Sequence, residues 1–262
     1  MSRPVPHLLR HAATRLLLPA LLLAAPAALA QTTPPATAPQ GLNPYTGPRF
    51  PGGPDSLRAT LRRVARAAGP ARTGQLIVHL KLGKDGRPNR CIALMPPDPA
   101  GATLALSQEV RAVLEQLPTQ LGTWQLGSET SNAQPGNSLF LPLYFEPAAT
   151  APLAYSDENP AFISLTDKNT GALQRAINFL QRQFRYPAPD LRNQVQGTVY
   201  GYFEVSETGA VQNRRVVGSL SPTIDAELQR VLALLPDALT PPRQQGRPVR
   251  VAYVVPVNLR IQ

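Results

Sequence analysis

The side chains most able to do covalent chemistry are scarce in this sequence. It has one cysteine, Cys91, and three histidines, His7, His11 and His79. A structural zinc site needs about four N or S ligands, and a nucleophilic triad needs a histidine beside its serine or cysteine. Because His7 and His11 lie in a stretch that we expect to be removed, only His79 remains. We therefore expect no metal, no cofactor and no enzyme activity.

His79 lies in QLIVHLKLG, residues 75–83, in which Leu76, Val78, Leu80 and Leu82 alternate with other residues. Alternation with a period of two indicates a strand with one buried face. His79 falls on the opposite face, so we expect an exposed strand histidine.

Phosphate and carboxylate motifs are also missing. The pair Gly52-Gly53 lacks the spacing and the lysine of a phosphate-binding loop, and the only adjacent carboxylates, Asp157-Glu158, lie in a polar segment. Cys91 has no partner for an intramolecular disulfide, so we expect its thiol to be sheltered, and pairing with another chain is the alternative.

The first 30 residues have the features of a signal peptide. Three arginines precede an apolar run over residues 16–30, which ends in Ala28-Leu29-Ala30 before Gln31. This run is shorter than the roughly 20 residues of a membrane-spanning helix and fits a cleaved export signal. We predict a periplasmic protein; an uncleaved inner-membrane anchor is the alternative.

The net charge is +10, and it falls to +7 when the three arginines of the signal peptide are subtracted. The remaining arginines are scattered along the chain. A moderate positive charge without a basic run favours acidic partners or anionic surfaces and does not indicate nucleic-acid binding.

One pattern of apolar residues occurs twice, and each copy starts with a helix. The first helix has its stripe at Leu57, Leu61, Val64 and Ala68, and its counterpart at Leu173, Ile177, Leu180 and Phe184, before Pro70 and Pro187. Each is followed by a hairpin in which twelve residues separate the first glycine from the turn glycine, Gly74 to Gly86 and Gly197 to Gly209. Glycine suits the positive φ of such turns.

A second helix and a last strand complete each copy. The helix positions Val110, Val113, Leu114 and Leu117 match Leu228, Val231, Leu232 and Leu235, and the helices are predicted to end at Pro118 and Pro236. Ser107 and Ser221 are the expected N-caps. The strands SLFLPLYFE and VAYVVPVNLRI each contain a proline, Pro142 and Pro256.

The sequence thus predicts an α+β protein with two α-β-β-α-β units, residues 51–147 and 166–262. Residues 31–50 and 148–165 are predicted linkers. In the second hairpin, Val199, Gly201, Phe203 and Val205 should face the core. Tyr200 and Tyr202 should face solvent, where aromatic side chains are candidates for recognition.

The last strand raises a separate question, because Pro256 interrupts an alternation that runs from Val249 to Ile261. Proline cannot donate a hydrogen bond to a ladder, so it belongs on an edge strand or at a bulge. The side chains on the polar face of this strand are Arg250, Ala252, Val254, Asn258 and Arg260.

The second unit resembles the C-terminal domain of TonB-type energy transducers, in the form common in Bacteroidetes-type bacteria. The resemblance rests on Tyr186-Pro187, Gly197, Thr208-Gly209, the 225–235 helix, GRPV at 246–249 and PVN at 256–258. The first unit is a divergent match that lacks the Tyr-Pro and Gly-x-Pro-Val motifs.

The resemblance implies helices on one face of a small antiparallel sheet whose last strand lies at an edge. It also implies binding of the TonB box, an extended segment of an outer-membrane transporter, by strand addition. The partner-binding residues would be the polar-face residues of the last strand together with Tyr200 and Tyr202. Two alternatives remain: a membrane-anchored energy transducer, and an envelope structural protein that forms homodimers through edge strands.

Overall fold

The computed structural model describes residues 43–67, 74–97, 108–128, 137–145, 151–162 and 172–261. All of them belong to the second of two units in the chain, Pro39–Gln262. The predicted signal peptide and the N-cap Ser107 lie outside the described residues. Within the described ranges the protein is α+β, as predicted.

The first group of elements is a helix, a hairpin, a second helix and a returning strand. Their bounds are α1 Gly53–Arg66, β2 Gln75–Leu82, β3 Pro88–Ala93, α2 Gln108–Leu121 and β4 Ser138–Tyr144. Strand β2 is central and pairs antiparallel with β3 and β4. We call this three-stranded sheet sheet 1.

Helix α2 does not end at Pro118 as predicted but continues to Leu121. A proline inside a helix removes one backbone hydrogen bond. The cost of this lost hydrogen bond is offset by burial, because Leu117 and Leu121 on either side of the proline are almost completely buried in the core.

The second group of elements repeats this order and adds one short helix. The bounds are α3 Ala172–Gln183, α4 Ala188–Arg192, β6 Gly197–Val205, β7 Val211–Gly218, α5 Pro222–Ala233 and β10 Val251–Leu259. Strand β6 is central and pairs antiparallel with β7 and β10. We call this three-stranded sheet sheet 2. Helix α4 was not predicted, because its five residues are too few to show a periodic pattern.

Local signals in the second group agree with the predictions. Helix α3 ends at Gln183, before Pro187. The Ser221 side chain accepts a hydrogen bond from the Ile224 N–H at 3.1 Å, and Pro222 follows in the first turn of α5. A serine N-cap satisfies one of the unpaired N–H groups of the first turn. Gly209 has a φ of 90° in the hairpin turn.

Each sheet packs one face against its own helices. The predicted inner residues of β2, Leu76 to Leu82, join Leu57, Leu61 and Leu117 in one buried cluster. In the second cluster, Val199, Phe203 and Val205 of β6 pack with Leu228, Leu232 and Ile177.

The opposite faces of the two sheets pack against each other. A third apolar cluster joins them, and it contains Ile77, Leu94, Phe140, Tyr202, Val217, Ala252 and Val254. The layers are therefore helices, sheet 1, sheet 2 and helices. The prediction that Tyr202 faces solvent is wrong, because its side chain is 0% exposed. Alternation along a strand identifies its two faces, but it does not show that a second sheet covers the outer one.

A third, smaller sheet connects distant parts of the chain. Its strands are β1 Asn43–Pro44, β5 Glu158–Asn159, β8 Arg243–Gln244 and β9 Arg247–Pro248, paired in the order β1-β5-β8-β9. The described parts of both predicted linkers therefore pack against the rest of the protein. Tyr45, Leu153 and Tyr155 from these segments are buried.

Asp157 holds this small sheet together. Its carboxylate accepts hydrogen bonds from Arg49 Nη1 and from the Gln245 N–H, each at 3.1 Å. Its backbone N–H donates to Gln244 Oε1, and its carbonyl accepts from the Tyr45 N–H. One residue thus joins three segments, and we call this set of bonds the Asp157 clasp.

Candidate functional site: the edge of the terminal strand

Strand β10 lies at the edge of sheet 2, as the resemblance implied. It pairs with β6 over nine consecutive residues, from Val251 opposite Val205 to Leu259 opposite Gly197, without a register shift. An edge strand presents a row of backbone N–H and C=O groups to which another strand can add.

The direction of these groups is fixed by one hydrogen bond. The Ala252 N–H donates to the Leu153 carbonyl at 2.9 Å, away from β6. Alternate residues of an antiparallel pair point their backbone groups to the same side. The backbone groups of Val254, Pro256 and Asn258 therefore also point away from β6. Pro256, opposite Tyr200, therefore loses no bond to β6, which explains how a proline fits in this strand.

Leu153 already pairs with the first residues of the β10 edge. The Leu153 N–H donates to the Arg250 carbonyl at 2.9 Å, so Leu153 forms a parallel bridge with Val251. Its side chain is 2% exposed and belongs to the core of sheet 2. The open part of the edge within the described residues therefore begins after Ala252.

Three of the predicted side chains can be reached from solvent. Asn258 and Arg260 are exposed, and Asn258 Oδ1 accepts a hydrogen bond from Thr198 Oγ1 at 2.6 Å. Arg250 keeps 24% of its side chain exposed, and its Nε lies 3.6 Å from Glu204 Oε2. These groups line the edge at both ends of β10.

The other four predicted side chains lie between the sheets. Ala252 and Val254 are buried, and Tyr200 is half-buried with its ring edge against Phe140. An extended partner at the β10 edge would therefore meet the backbone at residues 252 and 254. It would not meet their side chains or the Tyr202 ring.

Tyr202 is the centre of a buried polar network that crosses from one sheet to the other. Its hydroxyl donates to Glu204 Oε1 at 2.7 Å, lies 2.8 Å from the Tyr144 hydroxyl, and accepts from Gln75 Nε2 at 3.2 Å. The Arg215 guanidinium lies over its ring, 4.1 Å from the centroid. Burial, and then the charge of Glu204, raise the pKa of Tyr202 above its usual range.

His79 and Cys91 are both half-buried on sheet 1. The His79 ring stacks on Phe140 with 4.5 Å between centroids. Burial, and then the charges of Lys81 and Arg90, lower the pKa of His79 to about 4. Burial raises the pKa of the Cys91 thiol to about 11. The prediction of an exposed histidine is wrong, because its ring stacks on Phe140, the residue opposite it on β4.

A concave region opens beside the N-terminus of α1, with a volume of about 330 Å³. Arg49 and Asp157 line it and pair with each other at 3.1 Å. Among the residues that the structure describes, no group of three or more His, Cys, Asp or Glu side chains could hold a metal ion. In the same ranges no helix combines the length and the apolar character needed to cross a bilayer.

Sequence reasoning missed three residues at or near the edge: Leu153, Asp157 and Glu204. A signal for Leu153 was present, since Ala151, Leu153 and Tyr155 alternate with a period of two and all three are buried. The signal is only five residues long and lies in a segment that contains prolines. Glu204 had no such signal, because its burial depends on the contact between the sheets.

Comparison with known proteins agrees with the resemblance seen in the sequence. Residues 182–261 match the family model for the Gram-negative bacterial TonB protein C-terminal. The match runs from the end of α3 past the end of β10, so the resemblance to this family is confirmed over these residues. This family is not an enzyme family, its domains are periplasmic, and they generally interact with outer-membrane transporters.

One solved structure is similar to part of the chain. It is the NMR solution structure of the TonB C-terminal domain of Helicobacter pylori, with 19% sequence identity and a TM-score of 0.26. The similarity covers 34% of this chain and 79% of that one. No curated protein matches the chain.

Proposed function

We propose that this chain is a periplasmic TonB-like protein that binds extended segments of other envelope proteins by strand addition to β10. The TonB boxes of outer-membrane transporters are the first candidates, which would link the protein to transmembrane transport. The observation that supports this proposal is the position of β10 at a sheet edge, with outward N–H groups at Val254 and Asn258.

We also propose that residues 51–147 are a divergent copy of the same domain. Support comes from the order helix, strand, strand, helix, strand, which occurs in both groups of elements. The strand order also supports this proposal, because the first strand of the hairpin is the central strand in sheet 1 and in sheet 2. In this arrangement the first copy covers the outer face of the second and leaves the β10 edge at the rim.

Recognition at this edge would depend mainly on backbone hydrogen bonds. Arg250 and Arg260 would favour segments with acidic residues, but an exposed ion pair contributes only about 0–1 kcal/mol. Arg250 is also close to Glu204, whose carboxylate partly neutralises the guanidinium and weakens its attraction for an acidic partner. Binding should therefore weaken only modestly with added salt.

The test is a pair of substitutions at one exposed position. Asn258→Pro removes an outward N–H, whereas Asn258→Ala removes the side chain and keeps the N–H. With synthetic TonB-box peptides and the full chain, we expect Asn258→Pro to weaken binding about tenfold and Asn258→Ala to change it little. One lost hydrogen bond of about 1 kcal/mol or slightly more accounts for this difference.

Val257→Pro is the control for damage to the fold, because the N–H of Val257 points inward to β6. It should lower the melting temperature, whereas Asn258→Pro should not. Equal binding by Asn258→Pro and Asn258→Ala would rule out strand addition at this position. A concentration-dependent mass in sedimentation, lost in Asn258→Pro, would favour self-association through the edge instead.

A further inference from the structure

The segment Ala151–Tyr155 lies on the same edge that the proposed function assigns to a partner. We propose that this segment, which we call the strap, is an autoinhibitory occupant of β10. An incoming strand must displace it to use the whole edge. This inference rests on the proposed function for its biological meaning, but the displacement itself can be tested without a partner.

The strap binds β10 as an added strand would. Leu153 donates to the Arg250 carbonyl and accepts from the Ala252 N–H, both at 2.9 Å, which is the bonding pattern of a parallel bridge. Its side chain is buried in the core of sheet 2. Backbone pairing with an alternate side chain in a pocket is also how strand addition recognises a peptide.

The strap occupies two of the outward hydrogen-bonding groups of this edge, the Arg250 carbonyl and the Ala252 N–H. Beyond Ala252, β10 offers outward donors only at Val254 and Asn258, because Pro256 between them has no N–H. A partner that pairs only with residues after Ala252 meets two N–H donors, and the proline between them donates none. A partner that replaces the strap also gains the Ala252 N–H and the Arg250 carbonyl, so full pairing and strap binding exclude each other.

The strap is attached to β10 more weakly than β10 is attached to β6. Within the described residues, Leu153 alone pairs with β10, through two hydrogen bonds, whereas β6 pairs with nine residues of β10. On one side the Ala151 carbonyl accepts from Arg58 Nη1 at 3.3 Å. On the other side Tyr155 stacks on Tyr45 at 4.8 Å, and its hydroxyl accepts from the Phe50 N–H. Leu153 can therefore leave the edge while these outer anchors and the sheet persist.

Amide hydrogen exchange of the full chain tests whether the strap opens by itself. In the part of the chain that the structure describes, the Ala252 N–H bonds to the strap, whereas the Tyr253 and Val255 N–H groups bond to β6. We expect Ala252 to exchange at least about tenfold faster than Tyr253 and Val255, as for a local opening. Exchange of all three amides at one rate would overturn the proposal, because the strap would then open only when the sheet unfolds.

A peptide with the strap's own sequence, TAPLAYS, tests displacement directly. Leu153→Ala weakens the internal anchor, so this variant should bind the peptide about tenfold more tightly than the unchanged chain does. The matched control is Leu228→Ala, which empties the same core from α5 and leaves the strap in place; it should bind the peptide as the unchanged chain does. Equal binding by Leu153→Ala and Leu228→Ala, or no binding by either, would contradict the proposal.

The two proposals can fail separately. If TAPLAYS binds the Leu153→Ala variant but TonB-box peptides bind neither form, the strap proposal stands and the proposed partner is wrong. If TonB-box peptides bind the unchanged chain and Leu153→Ala with equal affinity, the proposed function stands and the strap does not compete.

Discussion

Tyr202 shows how one residue sets the relation between the two sheets. Its hydroxyl contacts Tyr144 and Gln75 of sheet 1 and Glu204 of sheet 2. Polar groups buried this deeply are costly to leave unpaired, so a sliding motion between the sheets would break the two hydrogen bonds to Tyr144 and Gln75 together. The network therefore fixes one arrangement of the sheets, which the apolar residues around it would not do by themselves.

His79 should make the stability of the protein depend on pH. Its pKa is about 4 in the folded protein, below the usual value of 6.5, so between these values the unfolded chain binds more protons. The free energy of unfolding should therefore fall as the pH drops from 6.5 to 4. The measurement is urea denaturation at several pH values, with His79→Gln as the comparison.

His79→Gln cannot take up a proton, so it should lose less stability than the unchanged chain over the same pH range. The carboxylates titrate in both proteins and cancel in the difference. If the two proteins lose stability in parallel, the ring of His79 is protonated as easily in the fold as in the unfolded chain.

Among the elements, helix α5 has the clearest role in the core of sheet 2. Leu232 is completely buried and faces β6, where an added Cβ on Gly201 would lie 3.0 Å from its side chain. We expect Leu232→Ala to lower the free energy of unfolding by about 2–5 kcal/mol, as for an emptied buried leucine. Chemical denaturation measures this change.

The same helix end supplies the control. Leu234 is 47% exposed, only two residues away, so Leu234→Ala should change the free energy of unfolding by less than about 0.5 kcal/mol. Similar losses for the two variants would mean that α5 does not pack as described.

The elements and their inner faces could be predicted because their signals are local. The periods of two and 3.6, the Ser221 cap and the turn glycines each depend on a few neighbouring residues. The outer faces could not be predicted, because Ile77, Phe140 and Val254 become buried only when two distant strands meet. The strap was missed for the same reason: its pairing with β10 joins residues almost one hundred positions apart.

For the whole molecule, the packing of sheet on sheet qualifies the expectation that the second half folds alone. A fragment of residues 160–262 keeps α3, α5 and all of sheet 2, so we expect a cooperative melt. It loses the cover over Tyr202, Val217 and Val254, so its melting temperature should lie below that of the full chain. It should also bind a hydrophobic dye that the full chain does not bind.

Calorimetry and dye fluorescence of the two proteins check this prediction. A fragment that melts at the same temperature without binding dye would show that sheet 1 adds nothing to the stability of sheet 2. A broad melt would show that the core of the second half depends on the first.

The Asp157 clasp has a consequence for the order in which the chain folds. The bond from Arg49 spans 108 positions, and the bond from Gln245 spans 88. Closing loops of this length costs entropy before any contact is gained, and contacts between distant positions slow folding. During synthesis the N-terminal half emerges first, with Ile77 and Phe140 uncovered until β6 arrives. The newly made chain is therefore most prone to aggregation when about half of it has emerged.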